Sequence, residues 1–361
     1  MAMSDQNTRS NTGSRACAEP WPRGAGVRRI NLALQGGGAH GAFTWGVLDR
    51  LLEDDRVAIE GITGTSAGAV NGTVMAYGLA VGGREEARRM LRAFWQRVAQ
   101  IAALSPLQPS ALDRLMGPGR MDFSPGYWVM DMMSRVFSPY HYNVFDLNPL
   151  REILKDMIDF EVLRGCRAVK LFVSATNVKR GRIKIFDLSE MELDAVVAST
   201  CLPFLHQAVE IGEEAYWDGG YMGNPAIYPL IYHADCPDIL LVQLNPINSD
   251  SVPTSAQEIL DRLNVLTFNA SLMREMRAIN FVTRLIDDGF DHGGRLKRLL
   301  LHVIHAEDVM SDLGVSSKLN ADRAFLEHLF EIGRARTDAW LAAHFDRVGR
   351  ESTVDIEEMY L

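Results

Sequence analysis

A serine held between two glycines, Gly64-Thr65-Ser66-Ala67-Gly68, is the residue of this chain best suited to covalent chemistry. The pattern G-x-S-x-G permits a sharp strand-to-helix turn that lifts a serine hydroxyl clear of its neighbours. Taken alone, it also describes an ordinary tight turn capped by a serine. Upstream, Gly36-Gly37-Gly38-Ala39-His40-Gly41 closes another apolar stretch, and Gly36, Gly38 and Gly41 satisfy G-x-G-x-x-G. Such a turn serves two chemistries. A dinucleotide cradle also needs an acidic residue closing the next strand, where this chain has Thr63-Gly64 and its Glu60 comes too early. An oxyanion hole needs only close backbone approach and the unpaired N–H groups of a helix start. With a G-x-S-x-G turn next in line, the oxyanion reading is the stronger.

A nucleophilic serine needs a base. Of nine histidines, eight follow Ser66, and none carries a local signature. His302 and His305 stand at odd spacing on an expected strand, so they face opposite sides and no metal site is expected. His206, after Pro203-Phe204, reads as a core residue; His40 alone sits inside the glycine turn. Asp218-Gly219-Gly220 follows the apolar run Ala215-Tyr216-Trp217. A carboxylate leaving a strand into two glycines is open to a close neighbour, although Asp-Gly also marks a plain hairpin turn.

The elements that must position these residues follow from periodicity. Strands are expected at 29–34, 57–63, 169–175, 182–186, 208–211, 215–217, 239–244 and 299–304. Helices are expected from 41 to about 54, at 69–79 and 84–104, and over about 255–288 and 318–345. Strand, glycine turn, helix, strand, sharp turn, helix is the grammar of a parallel α/β sheet. Tyr127 to Phe137, with three aromatics and three methionines, reads first as a core helix and second as a lid or interfacial patch. Leu263, Leu266, Met273, Met276, Phe281 and Leu285 read as a packing face. Basic clusters at 84–97 and 179–184 could meet anionic headgroups. Ser317-Lys318-Leu319-Asn320 reads as a serine-capped helix start with no chemistry assigned.

In their order, the Gly36–Gly41 turn, the Gly64–Gly68 turn and Asp218-Gly219-Gly220 resemble the patatin-like phospholipases, over about Ile30 to Leu230. Ser199-Thr200-Cys201-Leu202-Pro203-Phe204 is similar to that family's Ser-x-x-x-Pro segment. The resemblance implies an α/β fold, a three-layer α/β/α sandwich with a mainly parallel central sheet. It implies hydrolysis of lipid acyl esters, of phospholipase A type, through an acyl-enzyme on Ser66 with Asp218 as its direct base. Gly37, Gly38 and Ala39 would supply oxyanion N–H groups within the Gly36–Gly41 loop that includes His40. Gly64, Thr65, Ala67 and Gly68 would form the nucleophile elbow, and Gly219 and Gly220 the rest of the aspartate motif. The implied substrate is a phospholipid or other acyl lipid, with no cofactor. A free aspartate, with a pKa of about 3.9, is a weak base for serine, so burial would have to raise it. One departure stands out: the family carries Arg or Lys where this chain has His40. A group titrating near about 6.5 there is expected to weaken activity at alkaline pH. The alternatives are a non-lipid carboxylesterase or thioesterase of the same chemistry, or a catalytically silent lipid-binding protein, which intact Ser66 and Asp218 argue against.

Composition bounds the rest. Lys and Arg number 37 against 46 Asp and Glu, a formal charge of −9, so no nucleic-acid partner is expected. With 47% hydrophobic and 23% charged residues, the chain is neither disordered nor collagen-like. No apolar run approaches the roughly 18–20 residues of a membrane span. Cys17, Cys166, Cys201 and Cys236 are widely spaced and point to a reduced cytoplasm. Residues 1–27 lack the apolar core of a secretory signal. The expected organisation is a disordered leader over 1–27, a catalytic domain over 28–235 and a strand/helix extension over 236–361 packed on it. The expectation is a cytoplasmic protein with peripheral membrane contact; no protein partner is legible.

Overall fold

Eight strands form one sheet: β1 (Arg28–Leu34), β2 (Val57–Thr65), β3 (Lys170–Asn177), β4 (Arg182–Asp187), β5 (Val209–Ile211), β6 (Glu214–Asp218), β7 (Asp238–Gln243) and β8 (Leu300–His305). They lie in the order β5-β6-β3-β2-β1-β7-β8, with β4 also paired to β3. The five strands from β3 to β8 in that order are parallel. They are buried along most of their length, as parallel strands covered on both faces must be. The computed structural model describes residues 21–22, 24, 26–117, 119–249, 251–291 and 293–361. Most of the leader expected over 1–27 lies outside the described residues. Trp21, near its end, donates its indole N–H to the Ala168 carbonyl (2.8 Å).

Alternation along the strands sorts the core into two halves. Leu32, Leu34, Val173, Leu240 and Val242 pack with α1 (Gly41–Glu53), α2 (Ala67–Ala102) and the helix Arg323–His344. Ala33, Phe172, Leu241, Leu301 and Val303 pack with Leu272, Met276 and Ile279 of the helix Ala256–Asp287. A mainly parallel sheet between two helical layers is the expected three-layer α/β/α sandwich. The segment after residue 236 adds β7 and β8 to the same sheet, beside β1. Among the described residues, no helix is long and apolar enough to cross a membrane.

The two helices expected at 69–79 and 84–104 both form within Ala67–Ala102, separated by a kink at Gly83, whose φ of 77° only glycine adopts freely. Three other local readings are corrected. The helix expected from 318 starts instead at Arg323, capped by Asp322, because Val315–Leu319 closes into a separate 3-10 turn. The segment around Tyr127–Phe137 does form a helix, Pro125–Val136, but none of its residues is buried. Prolines on either side set it apart from both core layers, so Trp128, Val129, Met132 and Val136 face outward. Leu263, Leu266 and Phe281 are likewise exposed rather than packed.

The register of β3 decides what the sheet brings together. One edge of β3 is covered by β4 from Phe172 to Asn177. The other edge pairs first with β2, ending at Thr65 opposite Ser174, and then with β6, where Asp218 lies opposite Ala175. β2 and β6 therefore meet end to end along one edge of β3. The residue after Thr65 comes face to face with Asp218.

Candidate active site

Ser66 sits between β2 and α2 with φ 53° and ψ −123°, a strained conformation for a residue with a side chain. Close packing imposes it: a side chain on Gly64 would lie 2.6 Å from the Gly68 backbone. The Ser66 N–H donates to Ser199 Oγ at 2.9 Å, which ties the elbow to the helix Leu193–Ser199. Opposite stands Asp218, fully buried. Its N–H donates to the Cys201 carbonyl (2.7 Å), and its own carbonyl accepts from Thr176 Oγ1 (2.8 Å). Oδ1 accepts from the Gly220 N–H at 2.7 Å, while Oδ2 is buried with no aligned hydrogen-bond partner among the described residues. Burial pushes the Asp218 carboxyl up to about 7, against the opposing influence of the Gly220 N–H, the Ser66 hydroxyl and Lys318. The Ser66 hydroxyl is thus near enough to favour the carboxylate without a full hydrogen bond, a looseness common in unliganded sites.

The glycine turn lies against this pair. A side chain on Gly36 would stand 2.6 Å from Ser66 Cβ, so only glycine lets the loop touch Ser66. Gly36 is held by its N–H to Asn224 Oδ1 (2.6 Å) and by its carbonyl to Asn245 Nδ2 (3.0 Å). Gln35 locks both partners: Oε1 accepts from the Leu244 and Asn245 N–H groups at 2.8 and 2.9 Å, and Nε2 donates to the Asn224 carbonyl at 3.2 Å. Gly38, at φ 58°, opens a 3-10 turn, Gly38–His40, that leads straight into α1. At such a start the first N–H groups have no preceding turn to bond. Among the described residues no histidine is hydrogen-bonded to Ser66 or Asp218: His40 Nε2 pairs with Ser317 Oγ (2.7 Å), and His302 with Asp238 and Thr353.

The family model for patatin-like phospholipase matches residues 32–231, more than half of the chain. The chain belongs to the patatin-like phospholipase family. At the level of that family it is a lipid acyl hydrolase. No curated relative matches the chain. VipD from Legionella pneumophila is similar in structure, with a TM-score of 0.42 and 15% identity over 87% of this chain and 67% of that one.

Within this patatin-like phospholipase, the charges differ from those expected. His40 is buried, its Nδ1 without a partner among the described residues, and burial together with the charge of Lys318 holds its pKa at about 3. It is neutral throughout the working range, which overturns the expectation of a titration near 6.5. The cation nearby is Lys318, to which sequence reasoning assigned no chemistry. Its Nζ donates to Asn245 Oδ1 at 2.8 Å and lies 5.7 Å from the centre of the Phe268 ring. Burial lowers its pKa to about 8, although Asp261 and Asp218 favour its charged form. Gln35, Asn224 and Asn245 were also missed, because scattered single polar residues make no local pattern.

Proposed function

We propose that the chain is a phospholipase A-type acyl hydrolase that works through a Ser66–Asp218 dyad. The observation that supports this best is the meeting of a strained serine with a buried carboxylate whose Oδ2 has no aligned hydrogen-bond partner among the described residues. Ser66 Oγ attacks the ester carbonyl carbon while its proton passes to Asp218 Oδ2. The carbonyl oxygen becomes an oxyanion and accepts from the N–H groups of Gly37, Gly38 and Ala39. Each such donor is worth about 3–4 kcal/mol in acyl transfer. Collapse breaks the bond to the glycerol oxygen, which leaves with the proton held by Asp218, and the acyl group stays on Ser66. Water then attacks the acyl carbon and gives its proton to Asp218. The fatty acid departs as that proton returns to Ser66 Oγ. A carboxyl raised to about 7 is a far better base than a free one, so this dyad needs no histidine. Activity is expected to rise with pH through about 7 as Asp218 ionises.

The lipid substrate reaches the site from an interface. Phe145 is 87% exposed, and Val144, Leu147 and Phe204 are also open to solvent. Tyr142 hydroxyl donates to the Phe204 carbonyl, and Gln207 Nε2 to the Asn143 carbonyl at 2.9 Å. This apolar rim is thereby fastened to the segment whose Cys201 carbonyl holds Asp218. It is suited to rest on a lipid layer.

A fluorophosphonate probe tests the dyad. Wild type should label, Ser66→Ala and Asp218→Asn should not, and alanine variants of the histidines should. Loss of labelling in a variant of a histidine downstream of Asp218 would replace the dyad with a triad. Turnover of p-nitrophenyl butyrate without release of fatty acid from any phosphatidylcholine, phosphatidylglycerol or phosphatidylethanolamine vesicle would reduce the reading to a non-lipid esterase.

A further inference from the structure

The developing oxyanion carries a full negative charge, yet the glycine loop beside it holds no positive one, since His40 is neutral. The cation comes from far along the chain, outside the matched residues 32–231. Lys318 lies on the 3-10 turn Val315–Leu319, and four contacts bind this turn to the site. The Lys318 carbonyl lies where a side chain on Gly38 would go. The neighbouring Ser317 Oγ pairs with His40 Nε2 at 2.7 Å. Lys318 Nζ donates to Asn245 Oδ1 (2.8 Å), and Asn245 Nδ2 in turn holds the Gly36 carbonyl (3.0 Å). On its other side the ammonium overlies Phe268, whose ring abuts Gly220 and lies 5.3 Å from that of Tyr221. The ammonium is thus bracketed by the oxyanion loop and by the Asp-Gly-Gly turn.

We propose that Lys318 is the cation of this active site, stabilising the oxyanion through the glycine loop and favouring the carboxylate form of Asp218. This rests on the hydrolase reading above. An ammonium has three N–H donors. Asn245 takes one, and Asn264 Oδ1 stands at 3.5 Å, the limit of a hydrogen bond. The charged and titratable groups that face Lys318 are Asp261 on the helix Ala256–Asp287, Asp218 at the end of β6, and His40 in the loop. Both aspartates favour the charged form of the lysine, which retains its proton below about pH 8. Its charge lowers the pKa of Asp218 and so widens the pH range in which the base is free. The expected rate profile is a bell, limited by Asp218 at the acid side and by Lys318 at the alkaline side.

The test uses the full chain and p-nitrophenyl butyrate, with wild type, Lys318→Met, Lys318→Arg and a Lys318→Met/His40→Lys double variant. Loss of the cation should lower kcat on the order of a hundredfold with little change in KM. It should also raise the acid limb and remove the alkaline one. Lys318→Arg should stay active and carry its alkaline limb beyond about pH 10, because a guanidinium does not deprotonate there. A lysine at position 40 should restore about tenfold to the Met variant. A Lys318→Met enzyme within about threefold of wild type, with both limbs in place, overturns the proposal. If the Met variant does not melt cooperatively, an alkaline limb still near about pH 8 in Lys318→Arg overturns it just as well. A wild type that neither labels with fluorophosphonate nor turns over the ester overturns the hydrolase reading, and this role falls with it.

Discussion

At the scale of single residues, the role proposed for Asp218 is set against stability. Its carboxyl is raised from the ordinary 3.8 to about 7 by burial. Between those values the folded chain keeps a proton that the unfolded chain has released. The stability this group contributes is therefore full below about pH 4 and is lost as the pH rises to about 7. Every tenfold by which folding tightens the hold on that proton corresponds to about 1.4 kcal/mol. Asp218→Asn removes the ionisation and should be more stable than wild type at pH 8 by a few kcal/mol, with the gain shrinking toward pH 4. Thermal melts across that range check it. A gain that does not depend on pH would mean Asp218 is not held protonated by the fold.

At the scale of elements, the site is a junction of strand ends whose spacing is set by backbone contact. β2 and β6 share one edge of β3, and the glycine turn after β1 lies against the end of β2. Gly36→Ala forces a methyl group into Ser66 Cβ and should abolish fluorophosphonate labelling while leaving the circular dichroism spectrum native. Asn224→Ala acts differently, because it strands the Gly36 N–H in a buried setting. Leaving such a donor unpaired costs about 1–3 kcal/mol. Urea unfolding should show that loss, together with slower labelling of Ser66. Full wild-type stability in Asn224→Ala would show that another group takes over the Gly36 N–H.

At the scale of the whole molecule, a net charge of −9 makes anionic headgroups poor anchors, so apolar contact must dominate any docking on lipid. The exposed Val144, Phe145 and Leu147 carry that expectation. Burying one large apolar side chain contributes about 1.5–3 kcal/mol, or roughly tenfold or more in partitioning. Val144→Ser with Phe145→Ser should reduce flotation with phosphatidylcholine vesicles by at least about tenfold. The ratio of phospholipid to soluble ester turnover should fall with it. Equal flotation of the two proteins would move the docking face elsewhere.

The sequence by itself determined the sheet and the motifs. Strand positions follow from local apolar runs, and all eight expected strands form within a residue or two of their limits. Ser66 and Asp218 are legible as candidates because glycine patterns mark the turns that carry them, and turn chemistry is local. Tertiary structure alone decided the electrostatics. That Asp218 titrates near 7, that His40 is neutral and that Lys318 faces both depend on burial and on groups a hundred or more positions apart. The same holds for Asn224 and Asn245 on Gly36, and for the outward face of the helix Pro125–Val136. Periodicity reports that a face is apolar; only the packed layers decide whether anything covers it.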